Sequence, residues 1–446
     1  MNPFSKIKQI SLLTGDVFVL YASLLITLLL RYGKFFYFQL ITFHLEPFTI
    51  MFVVWVIVFY IAGLYDLKSL KNNLEFQKSF LYAIIFNLII SFLFFYTVPY
   101  FEITPKTNLI LFSIIFAVIN FLWRRGFNAI LGETGTTTKI MIVGSNDTAG
   151  EIINHINNNP QLGYQVKFWM KEGLSDKEFE HLSQIILSND ISTIVIPAHL
   201  KKDYESAKLI YKTLVLGIEV VDLSTFYESV FKKVPLAELE EVWFLENLSQ
   251  RHKIYDLIKE PIERISALIL FAILSPLFLL ITILIKTTSK GPAVFKQTRV
   301  GQKEENFTIY KFRTMYEDAE KDGPQWANYF SDKRATPIGK ILRKTHLDEL
   351  LQLVNVIKGD ASFIGPRPER PEFVADLRKQ VPYYELRLLV KPGITGWAQI
   401  NFRYGASVED TYEKVQHDIY YIKNKSVILD AEILLKTLKF LLTNHS

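Results

Sequence analysis

Residues Ile265–Ile285 read ISALILFAILSPLFLLITILI, 21 residues without a charge. At about 1.5 Å per residue, such a helix is long enough to cross a bilayer core. Its surroundings argue for another path. Arg251, Lys253, Lys259 and Arg264 precede the stretch; Lys286, Lys290, Lys296 and Arg299 follow it. Equal basic flanks give a crossing no preferred orientation. They suit two cytoplasmic ends, each near anionic headgroups. Ser275-Pro276 stands at the centre. Proline lacks an N–H and clashes with the preceding turn, so the helix bends there, and the Ser275 hydroxyl is a candidate for satisfying the freed carbonyl. These residues allow a re-entrant helix that bends at Ser275 and Pro276 and returns to the same side. A Pro-kinked crossing is the alternative.

Four further apolar stretches fill the first quarter of the 446 residues: Ile10–Leu30, Phe48–Tyr65, Ser79–Phe101 and Thr107–Trp123. The first carries only Asp16 and the others carry no charge, so residues 1–130 read as four transmembrane helices. The first apolar run is longer than a signal-peptide core and lacks a small-residue cleavage site, so it is expected to stay as a membrane helix. Lys6, Lys8, Lys68, Lys71, Lys78, Arg124 and Arg125 outweigh Arg31, Lys34 and Lys106, which places both ends of the unit in the cytoplasm. Half the residues are hydrophobic, with 35 Phe and 22 Tyr. The net charge of +5 is too small to argue for a nucleic-acid partner, and the absence of Cys excludes disulfides and thiolate chemistry.

From Thr137 the pattern changes. Lys139–Gly144, Gln165–Met170, Ser192–Ala198 and Ile218–Leu223 read as strands; Asp176–Ser188 and Tyr204–Leu216 read as helices. Strand–helix alternation predicts a parallel, doubly wound sheet, so residues 137–250 form a Rossmann-like (CoA-binding-like) module. Its first turn, Gly144-Ser-Asn-Asp-Thr-Ala-Gly150, keeps only the outer glycines of a dinucleotide loop. A structural or regulatory role therefore suits the module better than nucleotide binding.

The residues with chemical potential follow the fifth stretch. Lys311-Phe-Arg313-Thr-Met315 follows an extended run, Arg343 and Lys344 follow Gly339, and Arg367 stands between two prolines in Gly365-Pro-Arg-Pro368. Rigid loops that present Arg suit bidentate contacts to a diphosphate, whereas a solvated basic surface is the plainer account. Asp348-Glu349 lies in an amphipathic helix marked by Leu347, Leu350, Leu351 and Val354, with Asp348, Gln352 and Asn355 on its polar side. Thr345-His-Leu-Asp348 can be a capping box. Alternatively, one carboxylate attacks phosphorus to give an acyl-phosphate while the other holds Mg²⁺ or moves a proton. Asp418, in His417-Asp-Ile-Tyr-Tyr421, is a ligand or a satisfied helix acid.

Residues Tyr255–Leu438 strongly resemble the bacterial sugar transferase family, the monotopic polyprenyl-phosphate phosphoglycosyl transferases. The resemblance rests on Gly291-Pro-Ala-Val-Phe-Lys-Gln-Thr-Arg-Val-Gly301, Tyr310-Lys-Phe-Arg-Thr-Met315, Leu347-Asp-Glu-Leu350, Gly359–Pro371, Lys391–Trp397 and Asp418-Ile-Tyr-Tyr-Ile422. The four helices and the Rossmann-like module resemble the family's long form. The resemblance implies that residues 251–446 are a catalytic α/β domain anchored by a re-entrant helix. It implies Asp348 as nucleophile, Glu349 as its partner and Mg²⁺ at this pair. Lys311, Arg313, Arg343, Arg367 and Asp418 become substrate-binding candidates, and Ser275-Pro276 the break in the membrane helix. Leu351 departs from the family, where many members have Pro.

The implied reaction transfers hexose-1-phosphate from a UDP-sugar, glucose first and galactose second, to undecaprenyl phosphate, with release of UMP. Such a step starts exopolysaccharide or O-antigen (lipopolysaccharide) units at the bacterial inner membrane. The chain's partners would then be the UDP-sugar, undecaprenyl phosphate and membrane lipid. The four helices and the module are left with oligomerisation, regulation or partner binding, and a chain shortened to begin near Gln250 is expected to keep the chemistry. Two other functions compete. A membrane nucleotide-sugar dehydratase or epimerase needs an intact Gly-rich loop and a Tyr-x-x-x-Lys pair, for which Tyr204 and Lys208 are the candidates inside the module. A non-catalytic polysaccharide-assembly scaffold would not depend on Asp348.

Overall fold

The computed structural model describes residues 3–65, 74–98, 106–133, 137–144, 146–170, 184–204, 211, 217–248, 253–316, 319, 334–402 and 407–443. Lys68, Lys71, Lys208, Arg251 and most of the two predicted module helices lie outside them. The chain forms two compact units, Met1–Val230 and Phe231–Ser446.

In the first unit, α1 (Pro3–Tyr32), α2 (Leu45–Ile61), α3 (Leu74–Thr97) and α4 (Lys106–Glu133) are the predicted apolar stretches. Helical turns over 33–44 join α1 to α2. Cross-contacts give the directions. Gln9 Nε2 donates to Tyr65 O at 3.2 Å and Tyr21 OH lies 3.0 Å from Thr49 Oγ1, so α1 and α2 are antiparallel. Arg31 donates to Asn108 at 2.6 Å, while Asp16 pairs with Arg124 at the other end, so α4 is antiparallel to α1. Aromatic side chains fill the interior, with Trp55, Phe59, Phe112 and Phe116 almost fully buried.

One basic residue of the orientation argument changes meaning here. Arg124 does not mark a wet end of α4. It is buried on Asp16, Asn120 and the carbonyl of Leu64. A charge inside an apolar bundle persists only when partnered, which also accounts for Asp16, the one charge of the first stretch. Arg125 remains exposed.

The α/β part of this unit is an all-parallel sheet of β1 (Thr138–Val143), β2 (Tyr164–Met170), β3 (Thr193–Ile196) and β4 (Glu219–Asp222), in the order β2-β1-β3-β4. The strands lie where the alternation predicts them. The α5 helix (Asp147–Asn158) follows β1 and is capped by Asn146, whose side chain accepts from Ala149 N at 3.0 Å.

The second unit begins earlier than the sequence reading has it. Residues 231–248, assigned to the module on sequence, pack into the core of this unit. Val234, Leu236, Leu239 and, on α6 (Glu241–Leu248), Phe244 are buried with Val300, Val374, Tyr384, Val415 and Ile419. The α7 helix (Lys253–Thr288) follows and continues through Pro261 and Pro276, so the break expected at Ser275 and Pro276 does not interrupt the helix. Pro276 frees the carbonyl of Ala272, and Ser275 Oγ donates to that atom at 2.8 Å. Among the described residues, four segments are long and apolar enough to cross a membrane: 8–61, which holds α1 and α2, then 76–97, 107–129 and 254–288.

After α7, β5 (Val294–Val300) and β6 (Asn306–Phe312) form an antiparallel ribbon. The α8 helix (Pro337–Lys344) leads into a 3₁₀ turn, Leu347–Gln352, and then α9 (Leu353–Lys358). Gly339 lets α8 lie directly on β6's exit, because a Cβ there would stand 1.9 Å from Thr314 O. β7 (Ser362–Ile364), α10 (Pro371–Gln380), β8 (Gly393–Thr395), α11 (Val408–Asn424) and α12 (Val427–Thr443) complete the unit, with β7 and β8 parallel.

Candidate active site

The acid pair is presented by a 3₁₀ turn rather than by the regular helix its periodicity predicts. The cause lies at His346. Its φ of +54° ends α8 and redirects the chain, and its carbonyl accepts Glu349 N at 3.3 Å to open the new turn. The capping-box reading fails on the same evidence of hydrogen bonding: Thr345 Oγ1 donates back to Ile341 O at 2.9 Å, and no side chain caps the turn.

Asn355 ties this turn to β6. Fully buried, it donates to Thr308 O at 2.6 Å and accepts from Tyr310 N at 3.2 Å, so a side chain replaces a strand's ladder bonds. Tyr310 is next to Lys311, and Lys311 Nζ reaches Glu349 Oε1 at 2.7 Å. From the other side, Arg367 grips the same carboxylate with Nη2 at 2.6 Å from Oε1 and Nη1 at 3.4 Å from Oε2. Glu349 is therefore held between two cations. Burial opposes its charge, but Arg367 and Lys311 keep the carboxyl well below the usual carboxylate range. Burial lowers Lys311 against the pull of Glu349.

Asp348 differs from its neighbour. Burial, and then the charge of Glu349, push its carboxyl up to about 6, against Lys311 and Arg367. Its Oδ1 is buried without a hydrogen-bond partner, as is Gln352 Nε2 one turn on. A buried polar atom left unsatisfied costs about 1–3 kcal/mol, so a group that hydrogen-bonded to either atom would recover that cost. Two adjacent carboxyls thus carry opposite shifts: Glu349 is held ionised between two cations, and Asp348 keeps one oxygen without a partner.

The loop that carries Arg367 is fastened on several sides. Gly365 N donates to Thr395 O and Gly393 N to Pro366 O, both at 2.9 Å. A Cβ on Gly365 would stand 2.3 Å from Lys391 O, so the two Pro/Gly turns of the sequence are one seat. Arg299 Nη1 donates to Pro368 O at 3.1 Å, and Arg387 Nη2 to Arg367 O at 3.0 Å.

The substrate-binding candidates thus separate. Lys311 and Arg367 meet at the acid pair. Arg343 is buried on α8, three residues before the left-handed His346. Arg313 turns away: its Nη2 donates to Ser289 O at 3.0 Å and Oγ at 2.8 Å, which closes the C-terminal end of α7. Asp418 is not at the acid pair. It is buried and ion-paired with Arg387 at 2.9 Å, and burial pushes it up to about 6 against Arg387. Arg387 in turn donates to Arg367 O, so Asp418 is joined to that loop through Arg387. Sequence reasoning missed Arg387, whose role depends on a partner far along the chain. It noted Asn355 only as a polar position of a helix, although a polar residue in an apolar repeat is the signal that marks it.

Magnesium can be weighed on the same atoms. Among the described residues no group of three or more His, Asp or Glu side chains forms a metal cage. Mg²⁺ commonly takes one or two carboxylates and completes its shell with phosphate and water, and the free Asp348 Oδ1 beside Glu349 fits that pattern.

Fold and site define a membrane-anchored α/β protein with a paired carboxylate centre braced by Lys and Arg. Residues 254–444 match the bacterial sugar transferase family. The UDP-N-acetylgalactosamine-undecaprenyl-phosphate N-acetylgalactosaminephosphotransferase of Aeromonas hydrophila is 46% identical over 190 residues, which span 43% of this chain and 45% of that protein. The UDP-glucose:undecaprenyl-phosphate glucose-1-phosphate transferase of Caulobacter vibrioides is 40% identical over 194 residues, 43% of this chain and 72% of that protein. The enzyme of the same name from Klebsiella pneumoniae is 31% identical over 344 residues, 73% of this chain and 70% of that protein. The chain belongs to the bacterial sugar transferase family.

Proposed function

We propose that this chain transfers a sugar-1-phosphate from a UDP-sugar to undecaprenyl phosphate through an aspartyl-phosphosugar intermediate. One observation carries the reading: Asp348 offers a buried, unpartnered oxygen beside a carboxylate that two cations hold ionised. In the first step an Asp348 oxygen forms a bond to the sugar-bearing phosphorus, and the bond to the UMP oxygen breaks. In the second, an oxygen of the lipid phosphate attacks the same phosphorus and the Asp348 carboxylate leaves. Glu349, Lys311 and Arg367 bind and orient the charged groups. Bound at Asp348 and Glu349, Mg²⁺ would supply charge neutralisation for the diphosphate.

The same reading places α7 as a re-entrant helix with both ends in the cytoplasm, so that Asp348 meets UDP-sugars there. Packing supports it. Ala267, before Ser275-Pro276, and Phe278, Ile281 and Ile285, after it, belong to one buried cluster with Leu353 and Val356 of α9. At the N-terminal arm, Lys259 pairs with Asp430 at 2.7 Å and Ser362 donates to Glu263 at 2.8 Å. At the C-terminal arm, Phe278 packs on Phe312. Both arms thus lie against the same α/β domain, as a returning helix requires. The membrane is the bacterial inner membrane, and the product would start an exopolysaccharide or O-antigen unit.

For the sugar, the family resemblance puts glucose first and galactose second, and the sequence does not decide between them. A relative named for N-acetylgalactosamine matches the catalytic part at 46% and one named for glucose at 40%, so both donors head the test. Purified full-length protein, undecaprenyl phosphate and a panel of UDP-sugars should release UMP with one donor at least tenfold faster than with the rest. No UMP with any donor would sink the proposal.

A further inference from the structure

The C-terminal helix α12 reaches the acid-pair turn. It is held along its length: Ile433 is fully buried, Thr437 Oγ1 lies 2.8 Å from Thr395 Oγ1 on β8, and Lys436 Nζ sits over Trp397 at 4.6 Å. These tethers bring the Phe440 ring onto His346, with centroids 5.9 Å apart and planes inclined by 51°. His346 is two residues from Asp348. It joins two elements: its N–H donates to Arg343 O at 3.2 Å, closing α8, and its carbonyl accepts Glu349 N at 3.3 Å, opening the acidic turn. Between these bonds its backbone sits at φ +54°. That region is uncommon for an L-residue other than Gly, although His enters it more often than most, and it persists where the surrounding structure holds it. The direction in which Asp348 and Glu349 leave α8 is therefore set by one strained residue.

We propose that Phe440 is a positioning residue for the transfer reaction: packed on the His346 ring, it holds His346 in the left-handed conformation that aims the acid pair. The proposal rests on the reading of Asp348 as nucleophile. It gives the C-terminal helix a part in catalysis that neither the acid pair nor its braces show.

The test uses full-length protein in detergent and follows UMP release. Phe440→Ala should lower kcat about tenfold while KM for the donor stays within about twofold, since displacement of a catalytic group costs rate more than ground-state binding. Phe440→Leu, which keeps apolar bulk, should recover most of the rate, and it replaces the alanine variant if that one does not fold. The deciding comparison uses His346→Gly as a second background. Glycine takes φ > 0 without a Cβ penalty, so it needs no ring to hold it there. In that background Phe440→Ala should cost less than about twofold. An equal loss in both backgrounds would overturn the proposal, as would a change in KM alone. Asp348→Asn is run in parallel: if it stays active, the nucleophile reading itself has failed, whereas an inactive Asp348→Asn with equal Phe440→Ala losses overturns the positioning role only.

Discussion

Where the second unit begins has a measurable consequence. A chain beginning at Phe231 keeps the segment that carries Val234, Leu236, Leu239 and Phe244, whereas one beginning near Gln250 lacks it. These four side chains are 0%, 2%, 9% and 7% exposed. At roughly 1.5–3 kcal/mol for each buried apolar side chain, their loss removes about 6–12 kcal/mol, an upper figure because an unfolded chain already buries part of its surface. Polar contacts go with them. Trp397 Nε1 donates to Lys232 O at 2.8 Å, Val234 N to Gln416 O at 3.2 Å, and Lys233 pairs with Glu413 at 3.0 Å. A domain's whole stability is about 5–15 kcal/mol, so the shorter chain should be marginal. Thermal unfolding of both chains in the same detergent should give a midpoint at least about 10 °C lower for the one starting at Gln250. The chain from Phe231 should release UMP at a rate near that of the full-length protein. Equal midpoints would refute the claim that 231–248 belongs to the catalytic core. Failure of a folded, membrane-bound chain from Phe231 would give the first unit a direct part in the chemistry.

Two further outcomes follow from the site and from α7. If Asp348 is the proposed nucleophile it must be ionised to attack phosphorus, and its carboxyl is pushed up to about 6, so kcat/KM for the donor should fall as pH drops through that value. At pH 5 it should be roughly a tenth of its plateau, and a profile flat from pH 5 to 8 would contradict the assignment. The chain has no Cys, so single Cys probes at Thr287 and at Asp256 report topology cleanly. Both should react with an impermeant reagent only once the inner face is opened, and labelling of the Thr287 probe from outside intact cells would refute the re-entrant path.

Much of this organisation was legible in the sequence because it follows from local physics. Apolar runs with at most one charge mark α1 to α4 and α7, alternation marks β1 to β4, and Ser275-Pro276 announces the bond from Ser275 Oγ to Ala272 O. What was not legible depends on long-range packing. The buried state of Arg124 requires Asp16 from another helix. The 3₁₀ turn at Asp348 arises from the left-handed His346, while periodicity alone predicts a regular helix. The ion pair of Asp418 needs Arg387 from another element, and the early start of the second unit shows only when Val234 N meets Gln416 O. The acid pair itself was visible as two letters, but the difference between its two carboxyls comes from Lys311 and Arg367 closing on Glu349.

The covalent intermediate is the centre of the account. Incubating the purified protein with a donor labelled in its sugar-bearing phosphate, with no lipid present, should leave label on the wild-type chain and none on Asp348→Asn. Addition of undecaprenyl phosphate should then discharge it. Label retained by Asp348→Asn, or label that the lipid cannot remove, would contradict the aspartyl-phosphosugar mechanism.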